Sequence, residues 1–181
     1  MAKLIMSSTE INRALKRIAA GIKKRNQSTE NLVLIGIKRR GPTLAQRIAR
    51  FLTKGKKTIP VGAIDITLYR DDLQRIAESP IVRGSEINFD INDKVVILVD
   101  DVLFTGRTVR AALTEILDFG RPESIQLAVL IDRNHRELPI AADYIGKRIK
   151  TKKTDLVDIF VKEEDGKEGV FIARRADAIS A

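Results

Sequence analysis

The chain has no cysteine among its 181 residues, which excludes a disulfide framework and a thiolate zinc site together. It has one histidine, His135, and a lone imidazole without a relay partner in view reads as a surface or binding residue rather than a catalyst. No apolar run approaches the about 20 residues of a membrane span, and Met1 to Thr9 lacks the apolar core of a signal peptide. The expectation is a soluble cytoplasmic protein. There is no G-x-x-x-x-G-K-[ST] and no G-x-G-x-x-G, so neither a P-loop nor a dinucleotide fingerprint is supported. The length suits one α/β domain with a full core and is short for two. Acids are scarce at one end only. Residues 1–60 carry 15 Lys or Arg against Glu10 and Glu30, a balance of +13, whereas the remainder carries 18 against 22 acids within a net charge of +9.

The densest stretch is Val95 to Ala112. Five apolar residues, Val95 to Val99, run into Asp100 and Asp101, as in a strand buried on both faces of a parallel sheet. A turn follows, Phe104-Thr105-Gly106-Arg107-Thr108, and then a helical pattern with Val109, Ala112, Leu113, Ile116 and Leu117 on one side. In open α/β sheets ligands bind beyond the carboxyl ends of strands, against the N–H groups that open a helix. Gly106 allows close backbone approach to an anion, and Thr105 and Thr108 add hydroxyl donors. Ionised Asp100 and Asp101 only accept hydrogen bonds, so they suit sugar hydroxyls or a metal rather than the phosphate. A sugar phosphate satisfies both halves.

Ahead of this stretch, Ser7-x-x-Glu10 is a capping box for a helix whose Ile11, Leu15, Ile18 and Ile22 form one stripe, with Arg13, Lys16, Arg17, Lys23 and Lys24 opposite. Leu32 to Ile37 reads as a second buried strand. It leads into Gly36-Ile37-Lys38-Arg39-Arg40-Gly41 and a helix with Pro42 at its first position, running through Leu44, Ile48 and Leu52 to Gly55. Two glycines around three cations at a strand end form an anion-binding loop. Val61 to Tyr69 alternates as a strand, and the polar stretch to Glu86 has no periodicity. Ile125 to Ile131 is a further buried strand. Lys147 to Lys153 packs five cations into seven residues, and Leu156 to Arg174 reads as a hairpin turning at Glu164-Asp165-Gly166-Lys167.

The run VILVDDVLFTGRTVRAA (96–112) resembles the signature of type I phosphoribosyltransferases. With DITLYRDDL (65–73), GRPESIQLAVLIDR (120–133) and HRELPIAADYIGK (135–147), the likeness narrows to the branch that joins uracil phosphoribosyl transfer to attenuation of pyrimidine-operon transcription. That branch commonly carries Tyr where this chain has Phe104, Thr where it has Arg39 and Gly where it has Asn134.

The resemblance implies one domain over 1–181, an open and mostly parallel sheet flanked by helices. It also implies a mobile flap over about 70–86 and a small hood over about 132–181 together with the N-terminal segment. It implies that Asp100 and Asp101, with Arg40, serve the reaction, the acids on the ribose of phosphoribosyl pyrophosphate (PRPP). Val102, Leu103, Phe104, Thr105, Gly106, Arg107 and Thr108 would hold the 5′-phosphate side, and Lys38, Arg39 and Arg40 the pyrophosphate. Arg136, Val157 and hood backbone would meet the pyrimidine. Mg2+ would enter with PRPP, with Asp100 its candidate protein ligand. UMP or UTP would tune binding to an mRNA stem-loop, and the chain would form a homodimer, homotetramer or homohexamer.

RNA-binding candidates are Arg13, Lys16, Arg17, Lys24 and Arg25 on the first helix, and Lys147, Arg148, Lys150 and Lys152 later. With 4% aromatics, arginine planes rather than rings would have to stack on bases. Two other readings stay open at this point, a UMP-sensing RNA-binding module with negligible catalysis and a purine phosphoribosyltransferase.

Overall fold

The computed structural model describes residues 2–53, 58–66 and 84–174. A strand not expected from the sequence comes first, β1 (Lys3–Met6), followed by α1 (Ser8–Asn26), β2 (Leu32–Ile37), α2 (Gly41–Leu52) and β3 (Val61–Ile64). Then come β4 (Val95–Leu103), α3 (Arg107–Phe119), β5 (Ser124–Asp132), β6 (Tyr144–Arg148), β7 (Leu156–Phe160), α4 (Lys162–Asp165) and β8 (Gly169–Ala173).

The capping box forms. Ser7 N–H donates to Glu10 Oε2 at 2.8 Å, and Glu10 N–H donates back to Ser7 Oγ at 3.4 Å. Pro42 lies one position further in than expected, because α2 already begins at Gly41. The strand read over Val61 to Tyr69 ends at Ile64, its last three residues lie outside the described ones, and so does Gly55.

Five strands form a parallel sheet in the order β3-β2-β4-β5-β6. Residues alternate between its two covered faces. Leu32, Leu34, Ile97, Val99 and Leu130 meet Ile11, Leu15, Ile22, Leu44 and Ile48 of α1 and α2, while Val33, Ile35, Val96, Leu98 and Val129 meet Val109, Ala112 and Ile116 of α3. Burial on both faces explains the unbroken apolar runs. Leu117, expected on the inner side of α3, is 59% exposed. Val109, Ala112 and Ile116 are buried as expected, and the buried stripe is rotated toward Ala111 and Glu115.

A second sheet, β1-β8-β7, is antiparallel, with β8 pairing β1 through Lys3↔Ile172 and β7 through Val157↔Ile172. Its Met6, Ile159 and Val170, with Val161 just after β7, share the core of α1 and α2. The hairpin expected over Leu156 to Arg174 is present, but α4 replaces a tight turn, with Gly166 left-handed at φ 69°. The stretch from residue 132 onward divides between sheets, since β6 extends the parallel sheet beside β5. No helix among the described residues is long and apolar enough to cross a membrane.

Strand order fixes where a ligand can sit. From β2 the chain moves outward to β3, whereas from β4 it moves the other way to β5 and β6, so the direction of winding reverses between β2 and β4. The crevice beyond the carboxyl ends of these two strands is the switch-point position.

Candidate active site

Two loops meet at that crevice. After β2 the chain turns so tightly that a Cβ on Gly36 would stand 2.2 Å from Pro42 N and 2.3 Å from Gly41 C. Gly41 cannot retreat, because its own Cβ would lie 2.6 Å from the Val99 carbonyl of β4. Both glycines are therefore required by backbone approach, and the cationic triplet between them is held against β4. Gly36→Ala should open this junction and cost about 3 kcal/mol or more, at the severe end of overpacking. Thermal unfolding of the variant beside the wild type measures it, and a loss below about 1 kcal/mol would contradict the contact.

Within the triplet the three cations are differently engaged. Lys38 Nζ donates to Gly84 O and to Glu86 Oε1, each at 2.8 Å. Arg39 is exposed. Arg40 donates from Nε and Nη2 to Asp165 at 2.8 and 2.9 Å, and its Nη1 stands 3.8 Å from Asp101 Oδ2.

The acidic pair lies inside β4, which continues through it to Leu103. Asp100 is 6% exposed, and its Oδ1 accepts from the Asp101 N–H at 2.8 Å. Burial, and then the neighbouring Asp101 charge, push the Asp100 carboxyl well above the usual carboxylate range. Burial raises Asp101 as well, opposed by the Arg40 charge. Side chains alternate beyond the pair. Leu103 is buried in the α3 core and offers the crevice only backbone, whereas Val102 packs toward the α1 and α2 core.

At the turn, Gly106 takes φ 94° and α3 begins at Arg107. Its first turn holds no acid and no side-chain cap, so α3 N–H groups point outward with the positive end of the helix dipole. Thr105 Oγ1 accepts from Arg107 N–H at 3.4 Å, and Thr105 O accepts from the N–H groups of Glu137 and Leu138 at 2.9 and 3.2 Å. Arg107 Nε donates to Glu137 at 3.0 Å, and Thr108 is exposed. The segment after β5 thus clasps the turn.

Arg136 fastens that clasp. It donates to Ile140 O at 2.8 Å, to Phe104 O at 3.0 Å and to Asp132 Oδ1 at 2.7 Å. Arg133 lies over the Phe104 ring at 4.0 Å and donates to Thr151 Oγ1, Lys152 O and Asp155 O. Burial pushes its guanidinium down from the usual value. His135 meets the edge of Phe104 at 5.5 Å and bonds Thr151 through Nε2 at 2.7 and 3.0 Å. Val157, in the second sheet, lies in β7, half-buried.

The remaining cations gather elsewhere. Arg13, Lys16, Arg17, Lys24 and Arg25 are exposed on α1, which packs against β6. Lys147 and Arg148 belong to β6, and Lys150 and Lys152 are exposed just after it. The fold therefore sets the two cationic groups side by side. Some of them also have structural partners: Arg17 donates to Gly146 O at 2.8 Å, Arg25 pairs with Asp143, and Lys147 donates to Ile5 O at 2.9 Å.

Sequence reasoning missed Asp132, Arg133 and Asp165. The first two stand at the end of a buried strand, Asp132 as the last residue of β5 and Arg133 as the next, where charged residues could have been singled out. Asp165 carries no local cue.

A phosphoribosyl transferase domain family matches residues 7–163. The chain is 54% identical over 174 residues to the bifunctional protein PyrR of Pelotomaculum thermopropionicum, covering 96% of each. It is 56% identical over 163 residues to that of Deinococcus radiodurans, covering 90% of this chain and 89% of the other. In fold it is similar to hypoxanthine phosphoribosyltransferase from Trypanosoma cruzi, with TM-score 0.74, 21% identity and 96% of each chain covered. A hypoxanthine-guanine phosphoribosyltransferase from Bacillus anthracis matches with TM-score 0.71 and 18% identity over 94% of this chain and 97% of the other.

Proposed function

The chain belongs to the phosphoribosyl transferase family, in its PyrR branch, and from that premise we propose that it transfers the phosphoribosyl group of PRPP to uracil and, with UMP bound, binds a pyrimidine-operon mRNA stem-loop. The observation that carries the catalytic half is the juxtaposition at the switch point: a cationic loop, two adjacent carboxylates and the uncapped start of a helix.

In this reading the bond from the anomeric carbon of PRPP to pyrophosphate breaks, the bond to uracil N1 forms, and the N1 proton leaves. The ribose passes through an oxocarbenium-like state. Asp100 and Asp101 bind its hydroxyls and oppose the developing positive charge. The opening of α3, with Thr105 and Thr108, binds the 5′-phosphate. Lys38, Arg39 and Arg40 receive the departing pyrophosphate. A magnesium ion entering with PRPP would draw its oxygen ligands chiefly from that substrate, and Asp100 would be its candidate protein ligand. When bound, that ion neutralises the leaving group. Arg136 and Val157 border the base in this proposal, although most Arg136 donors are already engaged. Self-association as a homodimer, homotetramer or homohexamer belongs to the same reading.

The cationic surface of α1 and β6 supports the RNA half, since phosphate neutralisation supplies affinity but no sequence information. The test uses one preparation. Radiolabelled uracil should be converted to UMP only when PRPP is present, and excess hypoxanthine or guanine should not compete. UMP should tighten binding to a pyrimidine-operon leader hairpin and not to a scrambled duplex of equal length. Consumption of hypoxanthine would replace uracil by a purine. Equal affinity for hairpin and scramble, with no response to UMP, would remove the regulatory half.

A further inference from the structure

We propose that Asp165 is a positioning residue for phosphoribosyl transfer: from the tip of the β7–β8 hairpin it holds the Arg40 guanidinium so that Nη1 faces Asp101, and so sets the grip on the pyrophosphate of PRPP. This rests on the reading of Arg40 as a pyrophosphate contact given above.

A guanidinium is a rigid plane with five N–H donors in a fixed fork. Fixing one edge of it aims the rest. Arg40 spends Nε and Nη2 on the two oxygens of Asp165, at 2.8 and 2.9 Å, and this bidentate pair leaves Nη1 turned to Asp101 at 3.8 Å. Asp165 is itself immobilised. Its Oδ2 accepts from the Val161 N–H at 2.8 Å, and its side chain is only 9% exposed. The Arg40 hydrogen bonds hold its carboxyl down to about 2, so it stays ionised wherever the enzyme would work.

The hairpin tip does not depend on this pair for its attachment. Thr43 Oγ1 donates to Glu164 at 2.9 Å, and Arg47 pairs with both Glu163 and Glu168. Of the four acids at the tip, Asp165 alone reaches Arg40. Holding the hairpin and aiming the guanidinium are thus assigned to different side chains. The occupied edge is also the one away from Asp101, so an anion can meet Nη1 without evicting Asp165.

The test compares full-length Asp165→Asn, Asp165→Glu, Glu164→Gln, Arg40→Gln and the Arg40→Gln/Asp165→Asn double variant by uracil-dependent pyrophosphate release. Asp165→Asn should raise KM for PRPP at least tenfold and leave KM for uracil within twofold. Asp165→Glu should recover part of the loss, and Glu164→Gln should match the wild type. The double variant should have the KM of Arg40→Gln alone, because Asp165 acts only through Arg40, whereas a purely structural role would add a further loss. An unchanged KM in Asp165→Asn overturns the proposal. So does a lowered KM, which would make Asp165 a brake on PRPP binding, and so does additivity in the double variant. If the wild type releases no pyrophosphate with uracil, the assignment of the reaction fails instead; PRPP affinity by calorimetry on the same variants then decides the role of Asp165, with the same tenfold loss expected.

Discussion

Asp100→Asn should melt at a higher temperature than the wild type at pH 8 and should transfer phosphoribose at a rate lower by two orders of magnitude or more. Both effects come from one carboxyl. Asp100 is 6% exposed, its Oδ1 is used by the Asp101 N–H, and the next residue is a second carboxylate. Burial and that neighbour raise its pKa above the value it would have in the unfolded chain. The folded protein therefore favours the protonated form. Its stabilisation is fully present below about pH 4, the unfolded value, and is lost as pH rises through the raised folded value.

At pH 8 the wild type must on folding either bury a charge or take up a proton, a cost the amide avoids while its oxygen keeps the bond from Asp101 N–H. A gain of about 1–2 kcal/mol corresponds to a few degrees in a chain of this size. The difference should shrink as the melts are repeated toward pH 4. The loss of rate follows because a neutral amide cannot oppose positive charge developing on the ribose. A variant less stable than the wild type at pH 8 would mean that the Asp100 charge is compensated in the fold, and a variant of undiminished rate would remove Asp100 from the reaction.

The parts of this site that lie close together in the chain could be read from the sequence. The apolar run of β2 ends where expected and the acids sit in the carboxyl-terminal half of β4, because burial on both faces leaves a run that periodicity cannot miss. The capping box and the α1 stripe are local as well. What escaped depends on partners far along the chain. β1 is four residues whose pairing with β8 spans almost the whole sequence, so no nearby pattern marks it as a strand. Leu117 fell outside the buried face and Glu115 inside it because α3 presents a face rotated toward Ala111, a residue too small to bias a hydrophobic stripe. Glu115 is held there by the Ser85 hydroxyl, 30 residues earlier. Arg40 was legible as a cation at a strand end, whereas its partner Asp165 lies 125 residues away. Side-chain commitments of this kind decide which donors still face a ligand, and only tertiary structure supplies them.

Arg136→Ala should be the most destabilising single change at the clasp, at about 3 kcal/mol or more. The arginine spans three acceptors that no shorter or single-headed cation can reach together: Ile140 O, Phe104 O and Asp132 Oδ1. Asp132 carries most of the cost. Its side chain is 5% exposed, and after Arg136 is removed it keeps the Asn134 N–H at 2.9 Å and a distant, exposed Arg148 at 3.9 Å. Breaking a buried ion pair from one side leaves an uncompensated charge, which costs more than the pair contributes. Arg136→Lys should therefore lose nearly as much as Arg136→Ala, since one ammonium cannot replace the fork. Adding Asp132→Asn to Arg136→Ala should recover more than about 1 kcal/mol, because the remaining buried group is then neutral. Urea unfolding of the two single variants and the double variant measures the coupling. Strict additivity, or a loss below about 1 kcal/mol in Arg136→Ala, would show that the clasp is held by the Glu137 and Leu138 amides on Thr105 O and not by the guanidinium. The functional consequence follows the same route. Phe104 O opens the turn that leads to α3, so loss of Arg136 should weaken PRPP binding in the fraction of protein that stays folded, even though no Arg136 atom needs to touch the phosphate.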